Sequence, residues 1–236
     1  MTTKYGYRNG VLSFFDSTSH ERVLPVAPIL FQDEFIGAVN ANWTQVELHA
    51  DADNDKLANQ HGGVFEEHIG ATEAAEEATI YYGNQLEWSA TKGFIFETVV
   101  QHFIVPTGLA EIYFGMANAY VIGRLHGADN GPTIHAMFMC LVGGAISIFT
   151  DQNNLIDNDE IATGVTVATG TYHIYRIDFT TITDVLFYID GVRVGSATTF
   201  DLTGAGNLQP LFSIYKPSST GLGHIYIDSV KIWSKR

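Results

Sequence analysis

Two neighbouring stretches of the chain alternate apolar and polar residues with a period of two. In Tyr172–Phe179, the residues Tyr175, Ile177 and Phe179 fall on one face and Arg176 and Asp178 on the other, as a half-buried strand requires. Val185–Val194 repeats the pattern with Val185, Phe187 and Ile189. Asp190 and Gly191 interrupt the second stretch. A two-residue type I′ turn needs positive φ at both central positions, which Asp tolerates and Gly adopts freely. The pattern therefore predicts a tight hairpin.

Further strands are predicted at Phe94–Gln101, Ala110–Met116, Ile134–Val142, Ala145–Thr150, Gly164–Ala168, Pro210–Tyr215 and Gly223–Trp233. Turn signals separate them, among them Asp129–Pro132, Gly143-Gly144 and Lys216–Gly221. The alanines and glutamates of Thr72–Ala78 favour one short helix by propensity, with a hairpin loop as the competing reading. Many short strands with Gly-rich turns and almost no helix predict an all-β antiparallel sandwich. Phe94, Phe96, Ile177, Phe187, Ile189 and Ile227 are expected to face inward and to contribute about 1.5–3 kcal/mol each through burial.

The runs Tyr172–Phe179 and Val185–Gly191 resemble the Y-R-I-x-F and V-x-F-Y-x-D-G signatures of laminin-G-like and concanavalin-A-like jelly rolls. Gly223–Trp233 resembles the closing strand of that fold, and Leu30–Gly37 its opening F-x-D-x-F strand, which lies beside the last one. The resemblance implies a jelly-roll scaffold. Function has to be argued from sites placed on that scaffold.

At 236 residues the chain is long enough for one large β domain with a core that needs no disulfide or metal. The single cysteine, Cys140, lies in the apolar run His135–Val142 and reads as a small core residue. Twelve basic against 26 acidic residues give a net charge of −14, which argues against nucleic acid and anionic membranes as partners. The first residues lack the apolar core of a secretory signal, and no apolar run approaches the roughly 18 residues of a membrane span. A protein made without export is the expectation.

Chemistry is sparse. Family 16 glycoside hydrolases, which share the jelly roll, carry E-x-D-x-E on one strand, so that period two places the carboxylates about one glycosidic bond. Here Glu111 is followed at the corresponding positions by Tyr113 and Gly115, and Glu97 stands alone. No catalytic residue is assigned, and no G-x-S-x-G, H-E-x-x-H or C-x-x-C occurs. Asp151–Asn154 and Asp157–Glu160 read as an oxygen-rich loop. Asp151, Asn153, Asp157 and Asp159 are its candidate calcium ligands, since calcium takes six to eight oxygens. Asp51, Asp53 and Asp55 are a weaker version of the same idea, and solvated Asp/Asn turns are the commoner explanation of both. No other cofactor is implied. Exposed rings on one sheet face would make a carbohydrate platform, but sequence does not say which of Tyr81, Tyr82, Tyr113 and Trp88 are exposed and which are core.

Residues 1–28 are slightly basic on an acidic protein, and Pro25 and Pro28 force an extended exit. Val11–Phe15 and Arg22–Leu24 are expected to pair across Asp16–His20 as a hairpin arm, followed by a jelly-roll domain over residues 29–236. The block Tyr7–Pro28, with Gln60–Val64 and Thr133–Ala136, resembles tailed-bacteriophage virion proteins in which a concanavalin-A-like domain follows a short leader. That resemblance implies a non-enzymatic structural role on the virion, decorating or cementing a capsid. The major capsid protein, other virion proteins and further copies of the chain would then be the partners. The alternatives are a lectin-like module that binds glycans and, third, a diverged glycoside hydrolase.

Overall fold

The computed structural model describes residues 3–8, 11–16, 29–36, 38–57, 62–72, 74–122, 132–152 and 157–234, with the backbone alone for 3–8, 11–16, 29, 30, 157 and 159. In chain order the strands begin with β1 (Thr3–Arg8), β2 (Val11–Asp16), β3 (Ile29–Asp33), β4 (Thr44–Leu48), β5 (Asp53–Lys56) and β6 (Phe65–Ile69). There follow β7 (Glu76–Tyr81), β8 (Trp88–Ser89), β9 (Phe94–Ile104), β10 (Glu111–Ala117), β11 (Ile134–Cys140) and β12 (Ala145–Gln152). The last six are β13 (Asp157–Thr166), β14 (Tyr172–Asp178), β15 (Leu186–Ile189), β16 (Val192–Val194), β17 (Asn207–Lys216) and β18 (Gly223–Ser234). Among the described residues helix is confined to two single 3-10 turns, Ala90–Lys92 and Val142–Gly144, and no helix there is long and apolar enough to cross a membrane.

Two antiparallel sheets face each other. Sheet I has the order β13-β12-β11-β10-β17-β7-β4, with β8 attached to β17, and sheet II the order β16-β15-β14-β9-β18-β6-β5, with β3 attached to β18. Alternation along each strand sends one set of side chains into the space between them. Sheet I supplies Ile112, Phe114, Phe138, Ile148 and Phe212, and sheet II supplies Phe96, Val100, Tyr175, Ile177, Phe187, Ile227 and Ile232, to one buried core. Phe114 lies edge-on to Tyr175 at 4.6 Å and Phe138 edge-on to Phe187 at 5.3 Å, so aromatic pairs span the two sheets. Cys140 belongs to this core, and burial pushes its thiol up to about 12.

The hairpin expected at Asp190-Gly191 is present: Ile189 pairs with Val192, and the two turn residues have φ of 50° and 80°, as type I′ demands. Asp190 also accepts a hydrogen bond from the Ile174 amide at 2.9 Å and holds His173 Nδ1 at 2.7 Å. The opening strand β3 pairs with the closing strand β18.

Val11–Asp16 pairs with Thr3–Arg8, Arg8 opposite Val11; the expected pairing of Val11–Phe15 with Arg22–Leu24 falls on residues outside those described. Among the described residues the β1–β2 sheet shares no strand pairing with either large sheet. Two other expectations change. The segment Thr72–Ala78 is not helical where it is described, because Glu76–Tyr81 is strand β7, paired on both sides by β4 and β17. Ala78 and Ile80 supply core there, which outweighs a propensity difference of a few tenths of a kcal/mol per residue. Asp157–Glu160 is strand rather than loop, since β13 starts at Asp157 and pairs with β12.

Candidate functional site

The outward faces of the two sheets differ in chemistry. On sheet I the outward positions carry Tyr113, Ala117, Met137, Met139, Phe149 and Leu211, which form a second buried apolar cluster. Tyr113, Met137, Met139 and Leu211 have no exposed surface. On β10 the Tyr113 hydroxyl donates to Glu111 Oε2, and Gly115 follows on the strand, so the strand offers one carboxylate, already engaged. Outward positions on β11 are His135, Met137 and Met139, with no acid among them.

Glu97 lies on β9 of sheet II, where the register sets it between Arg176 of β14 and Lys231 of β18. Such a row of alternating charge stabilises a sheet. Glu97 and Glu111 therefore belong to different sheets and cannot flank one glycosidic bond, which in a hydrolase needs carboxyls roughly 5–9.5 Å apart.

The rest of the outward face of sheet II is open and aromatic. Tyr226 of β18, Gln101 of β9 and Tyr172 of β14 stand directly opposite one another across three strands. The Phe103 ring stacks on Tyr226 at 4.9 Å and meets His224 edge-on at 4.7 Å. Phe103 is 42% exposed and Tyr172 44%; every other aromatic ring described is at least partly buried. Gln101 Nε2 donates to the Gly170 carbonyl at 2.8 Å, which fixes the amide between the two tyrosines. Burial raises the phenol pKa of both Tyr172 and Tyr226, so both stay protonated donors at neutral pH.

Farther along the same face, β6 presents Glu66 and His68, and β5 presents Asp55 and Asp53 directly opposite them. His68 also faces His224 of β18, and Glu66 faces Tyr226. Glu66 Oε1 lies 2.6 Å from His224 Nε2 and 3.8 Å from His68 Nδ1. Burial, and then His68, lower His224 to about 4, so its ring is neutral at pH 7. Burial raises Glu66, His68 offsets part of that rise, and Asp53 and Asp55 add to it.

The residues singled out in the sequence are placed differently. Trp88, Tyr82 and Tyr113 are core or otherwise buried, and Tyr81 stacks on Tyr120 at 4.7 Å. Of the candidate calcium ligands, Asp151 sits on β12 opposite Asp157 on β13, Asp159 lies two residues further along β13, and Asn153 is outside the described residues. Asp53 and Asp55 join the sheet II face, whereas Asp51 falls beside His49 and Glu76. The exposure of Phe103, Tyr172 and Tyr226 depends on which strands become neighbours, which local sequence does not carry. The one local signal was period two in Gln101–Phe103 and His224–Tyr226, which places each pair on one face.

No family model matches the chain, and no curated protein matches it. Solved structures do. The endo-glucanase of glycoside hydrolase family 16 from Bacteroides ovatus superposes with a TM-score of 0.55 at 15% identity, covering 86% of this chain and 100% of that one. A protein of unknown function from Shewanella oneidensis MR-1 gives 0.56 at 13%, covering 86% and 85%. The potassium-bound carbohydrate recognition domain of Emp46p gives 0.52 at 9%, covering 85% and 94%. The fold is a concanavalin-A-like jelly roll. At these identities the likeness establishes the architecture alone. A virion role, drawn from residues 7–28, finds no support in these neighbours.

Proposed function

We propose that the chain is a carbohydrate-binding module that takes its ligand on the outward face of sheet II, over Phe103, Tyr172 and Tyr226. The observation that carries this reading is the Tyr226–Gln101–Tyr172 row with Phe103 stacked at its end. A pyranose ring presents a face of C–H groups, which packs on an aromatic ring, and an edge of hydroxyls, which need donors and acceptors; rings interleaved with an amide and phenols meet both needs. Exposed aromatics clustered on a rigid sheet are otherwise costly to leave in water.

Binding without hydrolysis is the form of this proposal that the geometry favours, because Glu97 and Glu111 are on different sheets. The carbohydrate-recognising and glucan-cleaving proteins among the structural neighbours support the ligand class. The test is a glycan array probed with the full chain and with the double variant Phe103→Ala/Tyr226→Ala. Specific binding by the full chain that falls at least tenfold in the variant is expected, a loss of about 1.4 kcal/mol or more, typical of removing buried-on-binding aromatic anchors. Equal binding by both proteins, or none by either, would refute it.

A second reading keeps the virion role for residues 1–28. It draws on the β1–β2 sheet, which among the described residues shares no strand pairing with either large sheet and would serve to anchor the module in a larger assembly.

A further inference from the structure

We propose that Glu66, His68 and His224 form a binding site for a divalent transition metal of the zinc class. The backbone itself assembles the three ligands. Glu66 and His68 are two residues apart on β6 and so share a face, and His224 on β18 is the direct cross-strand partner of His68. The triad therefore follows from register more than from side-chain rotamers.

Glu66 Oε1, His68 Nδ1 and His224 Nε2 all lie within 4.8 Å of one another. A tetrahedral zinc with bonds of roughly 2.0–2.2 Å spaces its ligand atoms about 3.3–3.5 Å apart. The observed separations of 2.6 and 3.8 Å bracket that spacing, so side-chain movements of about 1 Å would close the shell.

The competing account is an ordinary ion pair, and the geometry argues against it. His224 Nε2 and His68 Nδ1 are both shielded from solvent, yet neither makes a hydrogen bond, although Glu66 is close. Two shielded ring nitrogens without a hydrogen-bond partner, gathered about one carboxylate, are instead the donor set a cation takes, since imidazole nitrogen and carboxylate oxygen are its ligands. Asp53 and Asp55 opposite the site add negative potential around it. The side chains of Glu66, His68 and His224 are 18%, 34% and 12% exposed, so an ion can enter and a fourth position can stay open to solvent. Two imidazoles and one carboxylate suit zinc; calcium would want six to eight oxygens.

The site stands on its own ligands, and its test uses the untagged full chain with no carbohydrate present, so it is separable from the glycan-binding reading. Calorimetric titration with zinc chloride should show one tight site per chain. Thermal unfolding at zinc about a hundred times the dissociation constant should rise by about 5–10 °C. The zinc-induced rise, measured within each variant against its own zinc-free sample, should fall below about 2 °C in His68→Ala, His224→Ala and Glu66→Gln. It should survive in His49→Ala, which alters the separate cluster of His49, Asp51 and Glu76. No zinc response in the unaltered chain, an undiminished response in the ligand variants, or an equal response to calcium would overturn the proposal.

Discussion

Glu67 is buried between the sheets, and burial pushes its carboxyl well above the usual carboxylate range; the nearby backbone of Ile80 pulls it partly back and Glu77 raises it further. A carboxyl raised in the folded state contributes stability that is full below its unfolded value of 4.5 and is lost as pH rises toward the folded value. His102 runs the other way. Burial, with a smaller contribution from His173, lowers it to about 3, and its Nε2 pairs with the Tyr175 hydroxyl at 2.8 Å. Its contribution is full above 6.5 and is lost as pH falls from 6.5 toward 3. The two windows overlap with opposite sign, so the unaltered chain shows a muted slope and single variants should unmask each group. Glu67→Gln should gain on the unaltered chain by up to about 1.4 kcal/mol per pH unit above 4.5, and His102→Gln should gain by a similar amount per unit as pH falls below 6.5. Urea unfolding at a series of pH values checks both; a pH-independent difference would contradict the assignment. Neither group was legible in the sequence, because His102 and Glu67 sit among ordinary strand residues and only the packing of the second sheet desolvates them.

At the scale of elements, the turn chemistry was the most legible part of the chain. Asp190-Gly191 specified its hairpin by backbone sterics alone, and the structure adds that the Asp190 carboxylate ties the turn to Ile174 and His173. Asp190→Ala should therefore cost about 1–2 kcal/mol by losing the amide hydrogen bond and a residue that tolerates positive φ, whereas Asp190→Asn should cost less. Chemical denaturation of the two variants tests this. Strand β7 replaces the expected helix although Glu76 and Glu77 are residue types of a surface helix. In the fold Glu76 is buried against Lys216 at 3.2 Å, and the Lys216 ammonium also donates to the carbonyls of Gly70, Thr72 and Gly221. A partner 140 residues away cannot be read from local propensity. Removing one side of such a buried pair strands the other charge, so Lys216→Met should destabilise by roughly 3–5 kcal/mol, more than Lys216→Met with Glu76→Gln. Equal losses in the single and double variants would show that the pair is not coupled.

For the whole molecule, the sandwich followed from period-two patterning, while the candidate site did not. Phe103, Tyr172 and Tyr226 come from three strands that the topology places side by side, β9, β14 and β18, and only that adjacency turns scattered rings into a surface. The acidic segment at Asp151–Glu160 drew attention through composition, yet its residues 157–160 serve as an edge strand of sheet I. Residues 1–28 include the β1–β2 sheet, which shares no strand pairing with the sandwich among the described residues. Their deletion should leave the melting temperature of the remaining chain within about 2 °C and its ligand binding unchanged, as calorimetry would show.

The central claim is that the outward face of sheet II, rather than that of sheet I, receives a carbohydrate. Chemical-shift mapping of the isotopically labelled chain with an oligosaccharide taken from the array tests it most directly. Perturbations confined to the neighbourhood of Gln101, Phe103, Tyr172, His224 and Tyr226 are expected. Perturbations centred instead on Tyr113, Met137, Met139 and Glu111 would contradict it.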